Sequence, residues 1–370
     1  MHDIAMDPAG APTHATTPPP PPPPPPPALH AALAEPAVEH RIEFTATAAE
    51  YFRIWIVNLA LSLLTLGIYS AWAKVRTQRY FYGNTRLAGA TFAYSADPVA
   101  ILKGRIIAAA LFGTYLVTAH FAPLVNLAVL ALIGALMPWI VVRSLRFRAR
   151  YSAWRGLNFR FGGRDGQAYG LFLGLPILAI FTAGLLFPYV KAMQQRYVAE
   201  NHHFGGRAAR FEMRTGDYYV AYLVAVGIMF AAIMGITLLS VGAAMATLGG
   251  GSSGREASSI LLVLMVVVIY LVYFGVFVFL RVSITNLFWN NVSLGPNRFR
   301  CTLRTLPLFW IYLVNVLAIV ASLGLLVPWA MGSFSSNSAQ QARLGAAAPA
   351  LASALMALNT SAIYAGQAIG

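Results

Sequence analysis

Apolar residues gather in seven long runs along this chain, and polar residues fill the gaps between them. The runs are Tyr51–Ala73, Ile106–Pro123, Leu124–Val142, Tyr169–Val190, Tyr218–Leu248, Ser259–Leu280 and Pro307–Met331. Each holds roughly 20 predominantly apolar residues, the length a helix needs to cross the ~30 Å hydrocarbon core of a bilayer. Their composition predicts an all-α polytopic membrane protein. The stretch from Leu344 to Gly370 is uncharged, Ala-rich and only weakly hydrophobic.

Three of the runs repeat one another. The first contains IVNLALSLLTLGIYSAWAKVRTQRY (56–80), the fourth GLPILAIFTAGLLFPYVKAMQQRY (174–197) and the seventh LVNVLAIVASLGLLVPWA (313–330). Gly67, Gly184 and Gly324 align. Asn58 and Asn315 stand nine residues before that glycine, and Leu175 takes the place in the fourth run. Thr65, Thr182 and Ser322 stand two before it. Trp72, Tyr189 and Trp329 stand five after it, the last two preceded by Pro188 and Pro328. Arg79-Tyr80 and Arg196-Tyr197 follow, with Arg76 and Asn84 completing the first copy. The third run holds a partial copy, Pro138-Trp139 and then Arg146-Phe147.

Between the runs, a second element recurs from His40, Asn84, Trp154, Asn201 and Asn291. Each copy alternates briefly around a phenylalanine (Phe44, Phe92, Phe159 or Phe161, Phe211, Phe299), with Gly and Asn nearby. That pattern predicts short strands or hairpins.

Charge sets the topology. Only 10% of the 370 residues are charged, against about 25% in soluble proteins. The 26 Lys and Arg outnumber the 12 Asp and Glu. In a soluble chain that excess suggests nucleic acid; in a membrane chain it marks the cytoplasmic side, so no nucleic acid is expected. If all seven runs cross, 11 basic residues fall inside and 15 outside. If runs one, four and seven enter and leave on one side, 25 of the 26 fall inside, with Arg255 alone outside. The second count obeys the positive-inside rule. The Thr/Ser-x-Gly element supplies the break: Gly tolerates turn dihedrals, and the hydroxyl can cap the next helix. Legs of about 10 residues would reach ~15 Å, and their turns would have to be buried in protein. The fold expected is four spans and three re-entrant hairpins, with short β segments on the cytoplasmic side. Residues 1–38, with ten consecutive prolines from Pro18 to Pro27, read as a disordered Pro-rich tail. Residues 39–333 form the membrane domain, and 334–370 an Ala-rich tail of helical composition.

The chemistry is sparse. All 12 acidic residues lie outside the apolar runs, which argues against an ion-coupled transporter. Asn58, Asn126 and Asn315 serve helix–helix hydrogen bonding or line a polar path. Glu200, His202 and His203 put three potential ligands in four residues, but adjacent histidines rarely face one site, so no metal is expected. No HExxH, P-loop or GxSxG pattern occurs, so neither an enzyme nor a cofactor is expected. The single cysteine, Cys301, forms no intrachain disulfide. Interfacial Trp and Tyr beside Lys and Arg fit anionic lipid headgroups as partners.

The run YFRIWIVNLALSLLTLGIYSAWAKVRTQRYFYGNTRLAGATFAY resembles the YjgN family, bacterial inner-membrane proteins built around a domain of unknown function. The Thr-Leu-Gly-Ile-Tyr-Ser-x-Trp-Ala-x-x-Arg and Arg-Tyr-x-x-x-Asn-Thr elements carry the likeness, which extends over about Arg41–Met331. The resemblance implies a multi-pass inner-membrane location and brings no activity with it. The chain departs after Pro328-Trp329-Ala330, where no Arg-x-x-Arg-Tyr follows. The expected roles are solute transport or permeation or, alternatively, lipid binding or scaffolding of the envelope.

Overall fold

A computed structural model describes residues 40–212, 214–249, 251–294, 297–331 and 342–344. The poly-Pro tail and most of the Ala-rich tail lie outside the described residues. The described chain alternates helical hairpins with short strands. Strand β1 (His40–Phe44) leads into α1 (Ala48–Leu64) and α2 (Ser70–Gly83), then β2 (Thr85–Leu87) and β3 (Ala90–Tyr94). Helices α3 (Pro98–Phe121) and α4 (Pro123–Tyr151) follow, then β4 (Ser152–Trp154), β5 (Leu157–Asn158) and β6 (Arg160–Phe161). Next come α5 (Asp165–Phe181, with a π turn at Gly170–Gly174), α6 (Phe187–Glu200), β7 (His202–Phe204) and β8 (Arg207–Phe211). Helices α7 (Thr215–Gly249) and α8 (Gly251–Asn291) precede β9 (Val292–Leu294) and β10 (Asn297–Cys301). Helix α9 (Thr305–Ala321), a helical turn at 327–331 and β11 (Ala342–Leu344) complete the order. Within the Ala-rich tail the chain is therefore a strand at 342–344, because the edges of β1 and β10 offer unpaired backbone groups on either side.

Every helix end that joins a strand lies at the same end of the bundle. Helices start where the sequence supplies caps. The Thr47 hydroxyl accepts from Glu50 N–H before α1, and the Asp97 carboxylate accepts from Val99 N–H before α3, with Pro98 in the first turn. The helical segments come in two lengths. Helices α1, α5 and α9 each hold 17 residues and reach ~25 Å. Helices α3 and α4 hold 24 and 29 residues, ~36 and ~44 Å. Helices α7 and α8 are longer still, with 35 and 41. Four helices are long and apolar enough to cross a membrane: Pro98–Phe121, Pro123–Tyr151, Thr215–Met245 and Ile260–Asn291. At most 11% of any of these apolar windows is buried within the chain, so nearly all of that surface needs an apolar solvent.

The helices overrun the apolar runs at both ends. Helix α3 begins eight residues before Ile106, and α4 continues nine beyond Val142, where Leu145 and Ala149 are buried among the strands. Hydropathy stops at the first cations, whereas the helix continues as long as one face packs. The same holds at 251–258, an expected loop that forms the first turns of α8. Pro138 sits inside the unbroken α4.

The strands form one antiparallel ladder in the order β5-β4-β3-β2-β1-β11-β10-β9-β8-β7-β6. Its two ends, β5 and β6, are separated only by Phe159. Phe159 N–H donates to Ser152 O beside β4, and Gly162 N–H donates to Asn201 O beside β7. These donors stand an odd number of residues apart, so the bonds leave opposite edges of the strand. The order thus returns to its start. Inward-facing Phe92, Trp154, Phe159, Phe211 and Phe299 meet Val142, Phe288 and Trp289 from the helix ends in one buried core.

Candidate functional site

The residues singled out by the repeat occupy three levels of the short hairpins. At the tips, helix gives way to a five-residue turn at 65–69, 182–186 and 322–326. Two consecutive residues take left-handed dihedrals at each: Leu66 and Gly67 (φ 48 and 88), Ala183 and Gly184 (49 and 83), Leu323 and Gly324 (51 and 92). In the first turn Thr65, Leu66, Gly67, Ile68 and Ser70 N–H donate to carbonyls of Leu61, Leu63, Ser62, Thr65 and Gly67. The remaining donor, Tyr69 N–H, reaches the Thr65 hydroxyl at 2.9 Å. The other turns repeat this set, with Leu186 N–H on the Thr182 hydroxyl (3.4 Å) and Leu326 N–H on the Ser322 hydroxyl (3.0 Å). Each turn therefore satisfies its own N–H groups. Donor satisfaction within the turn lessens the burial in protein that irregular backbone in an apolar solvent otherwise requires. Leu66 and Leu323 are indeed 96% and 95% exposed.

Midway along the legs, buried Asn58 and Asn315 each cross to the opposite leg. Asn58 Nδ2 donates to Ala73 O (3.5 Å) and Asn315 Nδ2 to Ala330 O (3.3 Å). These bonds tie the hairpin legs together. Asn126 likewise donates to Tyr115 O and the Thr118 hydroxyl. Trp72 and Trp329 are on the exposed face, Pro188 is buried, and exposed Arg76 points away from the core.

At the base, Tyr80 donates to Thr47 O and Glu50 Oε2, while Tyr197 donates to Arg164 O. Each tyrosine thereby fastens the end of the second leg to the residue before the first. Asn84 and Asn201 cap the same helices by donating to the Tyr80 and Tyr197 carbonyls. Arg79 donates to Tyr94 O, and Arg196 pairs with Glu200 at 2.9 Å. Beside that pair lies an open cleft of about 640 Å³, its floor made by Leu171, Leu175 and Leu178 and its rim by Arg196, Glu200 and Asn201.

His202 and His203 point to opposite sides of β7. His202 is fully buried against Phe161 and bonded to Val198 O, and burial pulls its pKa down to about 4. Among the described residues, no three His, Cys, Asp or Glu side chains group as metal ligands.

Lys74 and Lys191 immediately follow the first and fourth apolar runs, and a count of basic residues says nothing of their setting. Each stands seven residues after its repeat glycine, which is the signal that marks them. Both are half-buried on the second leg of a hairpin, outside the four long helices. Burial, with Arg148 and Arg105 nearby, pushes the Lys74 pKa down to about 8. Burial and Arg281 lower that of Lys191.

The family described as bacterial proteins of unknown function, DUF898, matches residues 39–365. The chain belongs to that family. The DUF898 member is 25% identical over 336 residues to a Salmonella typhimurium protein named inner membrane protein YjgN, covering 78% of this chain and 84% of that one. It is 29% identical over 154 residues to the Escherichia coli K12 protein of the same name, covering 40% and 37%. No solved structure matches this DUF898 chain.

Proposed function

We propose that this protein is a bacterial inner-membrane protein that engages anionic lipids at its basic face and conducts no solute. Four helices span the bilayer. The three short hairpins, copies of one unit, dip in from the cytoplasmic side and return. The observation that carries this reading is the pairing of depth with surface. The short legs reach ~25 Å from the strands against ~36 Å or more for the long ones, and the first and third tips end in almost fully exposed leucines, Leu66 and Leu323. An exposed left-handed Leu is costly in water and well solvated in lipid. All described basic residues except Arg255 lie on the strands, their connections, or within ten residues of a helix end that joins them. That band of cations, flanked by Trp72 and Trp329, matches the level of anionic headgroups.

The aromatic core of Phe92, Trp154, Phe159 and Phe288 fills the strand-bearing end, and this favours lipid engagement over conduction. Asn58 Oδ1, buried and without a hydrogen-bond partner among the described residues, is the observation that favours permeation instead. Purified protein in proteoliposomes separates the two. Native mass spectrometry should retain phosphatidylglycerol or cardiolipin over phosphatidylcholine, while glycerol and phosphate flux stay at the level of empty vesicles. Protein-dependent flux abolished by Asn58→Leu would overturn the reading.

A further inference from the structure

The second short hairpin differs from the other two along its first leg. Gly170 and Gly174 stand 14 and 10 residues before Gly184; the matching places hold Arg53 and Val57 in the first hairpin and Trp310 and Val314 in the third. The backbone requires neither glycine, since it is right-handed at both (φ −59 and −64). Packing requires neither: a Cβ on Gly170 would meet nothing within 4 Å, and one on Gly174 only Tyr169 O at 3.8 Å. Gly inside a helix costs stability, so two that the fold does not need call for another explanation. Both line the open cleft of about 640 Å³ between α5 and α6, a volume within the ~300–1,000 Å³ range of small-molecule sites. The π turn lies here, with Leu175 N–H reaching back five residues to Gly170 O. Gln194 on α6 donates to Leu171 O at 3.0 Å, which pins the legs together beside the opening.

The cleft changes character along its length. Leu171, Leu175 and Leu178 form its apolar floor, and Leu178 stands four residues before the tip turn. Arg196 and Glu200 stand at the other end, on the part of α6 that meets the strands. They pair through Arg196 Nε and Glu200 Oε1. The two guanidinium amino groups and Glu200 Oε2 take no further bond among the described residues. A donor for an anion and an acceptor for a cation are therefore side by side at the rim, above an apolar channel. That order matches an amphiphile whose head carries a phosphate and a primary ammonium. The quaternary nitrogen of phosphatidylcholine has no N–H to donate, and phosphatidylglycerol has no cation for Glu200.

We infer that the cleft between α5 and α6 binds one phosphatidylethanolamine molecule. Its phosphate meets Arg196, its ammonium meets Glu200, and one acyl chain lies along Gly170 and Gly174 toward the tip. The inference rests on the reading above, in which the strand-bearing end of the hairpins lies at headgroup depth. It adds a single zwitterionic lipid to the anionic lipids engaged by the wider basic face.

Native mass spectrometry of the full chain in detergent micelles tests this, with phosphatidylethanolamine, phosphatidylcholine and phosphatidylglycerol of identical acyl chains titrated singly. Wild type should bind one phosphatidylethanolamine roughly tenfold more tightly than phosphatidylcholine, the worth of about one charge-assisted hydrogen bond. Glu200→Gln should remove most of that preference, and Gly174→Leu should abolish the single tight site. Gly174→Leu should melt at or above wild type, because leucine is the better helix former and its side chain enters open space. Gly227→Leu, at an exposed glycine of α7 that also has nothing within 4 Å, should leave the affinity unchanged. Tight phosphatidylethanolamine binding that survives Gly174→Leu overturns the site. Equal affinity of wild type for phosphatidylethanolamine and phosphatidylcholine also overturns it; if phosphatidylglycerol is still retained over phosphatidylcholine, the wider lipid-engaging reading survives. No preference among the three lipids sinks both. Wild-type dimers that Gly174→Leu turns into monomers would mean that the glycines receive a helix of a second copy, and the lipid site falls.

Discussion

The helical hairpins and the strand-bearing end use the same residue types on opposite sides. At the tip of the first hairpin Leu66 is 96% exposed; in the core of the strands Phe159 is 1% exposed. The strand region hides Phe92, Trp154, Phe211 and Phe299 and shows Arg86, Arg160 and Arg210, as a protein in water does. The long helices show Ile107, Phe112, Leu238 and Val263, and their apolar windows bury almost nothing. Apolar burial therefore holds the strands together, whereas the helical region relies on backbone bonds that close within each segment. The tip turns carry that second rule furthest, since their N–H groups are satisfied without a partner segment.

The comparison breaks outright if the short hairpins cross the membrane. Reporter fusions placed after residue 85 and after residue 205 should both read cytoplasmic, an all-or-none result. One reporter outside would remove the basis for treating short and long hairpins differently. Within the strand region, Phe159→Ala should cost about 3–5 kcal/mol, as for other large core side chains, read as a lowered unfolding midpoint in detergent or nanodiscs. Its ring packs 5.0 Å from Phe204, and its backbone stands where the strand order meets itself.

Matched aspartates sharpen the contrast. Leu66→Asp should destabilise by about 3 kcal/mol if the tip lies in hydrocarbon. Leu157→Asp, at an exposed position on β5, should stay within about 0.5 kcal/mol. Equal, small effects would place the tip in water. A pH scan isolates the strand core again. His202 has a folded pKa near 4 against an ordinary 6.5, so the unfolded chain binds the extra proton between these values. Stability is complete above pH 6.5 and falls as the pH drops toward 4, by about 3 kcal/mol at most. His202→Gln should flatten that slope.

How much of this was legible before folding differs between the same two regions. Seven apolar runs of similar length do not by themselves mark the four long helices; the distribution of basic residues between the runs singles them out. The tip break is legible at Gly67, Gly184 and Gly324, and in the hydroxyl two residues earlier. It is not legible at Leu66 or Leu323, which take left-handed dihedrals that no feature of leucine announces. Alternation around Phe92 and Phe211 points to strands. Two-residue strands such as β5 and β6 have no period to detect, so the strand order that returns through Phe159 was hidden. The cleft beside Arg196 was also hidden, since its walls come from two different helices.

The smallest expected effects concern the tyrosines that join the two regions. Tyr80 and Tyr197 reach from the end of a second leg to the residue before the first, at the border between helix and strand. Removing one hydroxyl costs about 0.5–1.5 kcal/mol when the lost bond is a neutral one. Tyr197 is buried, and Tyr197→Phe leaves Arg164 O without its tyrosine donor, so it should fall at the upper end. Tyr80 is less enclosed and its carboxylate partner Glu50 is exposed, so water replaces the lost bond to both groups and Tyr80→Phe should fall at the lower end. The two share no partner, so the double variant should be additive within about 0.5 kcal/mol in chemical or thermal unfolding. A larger departure would mean that the strands couple the hairpin bases into one mechanical unit, and the two regions would then have to be treated as a single folding block.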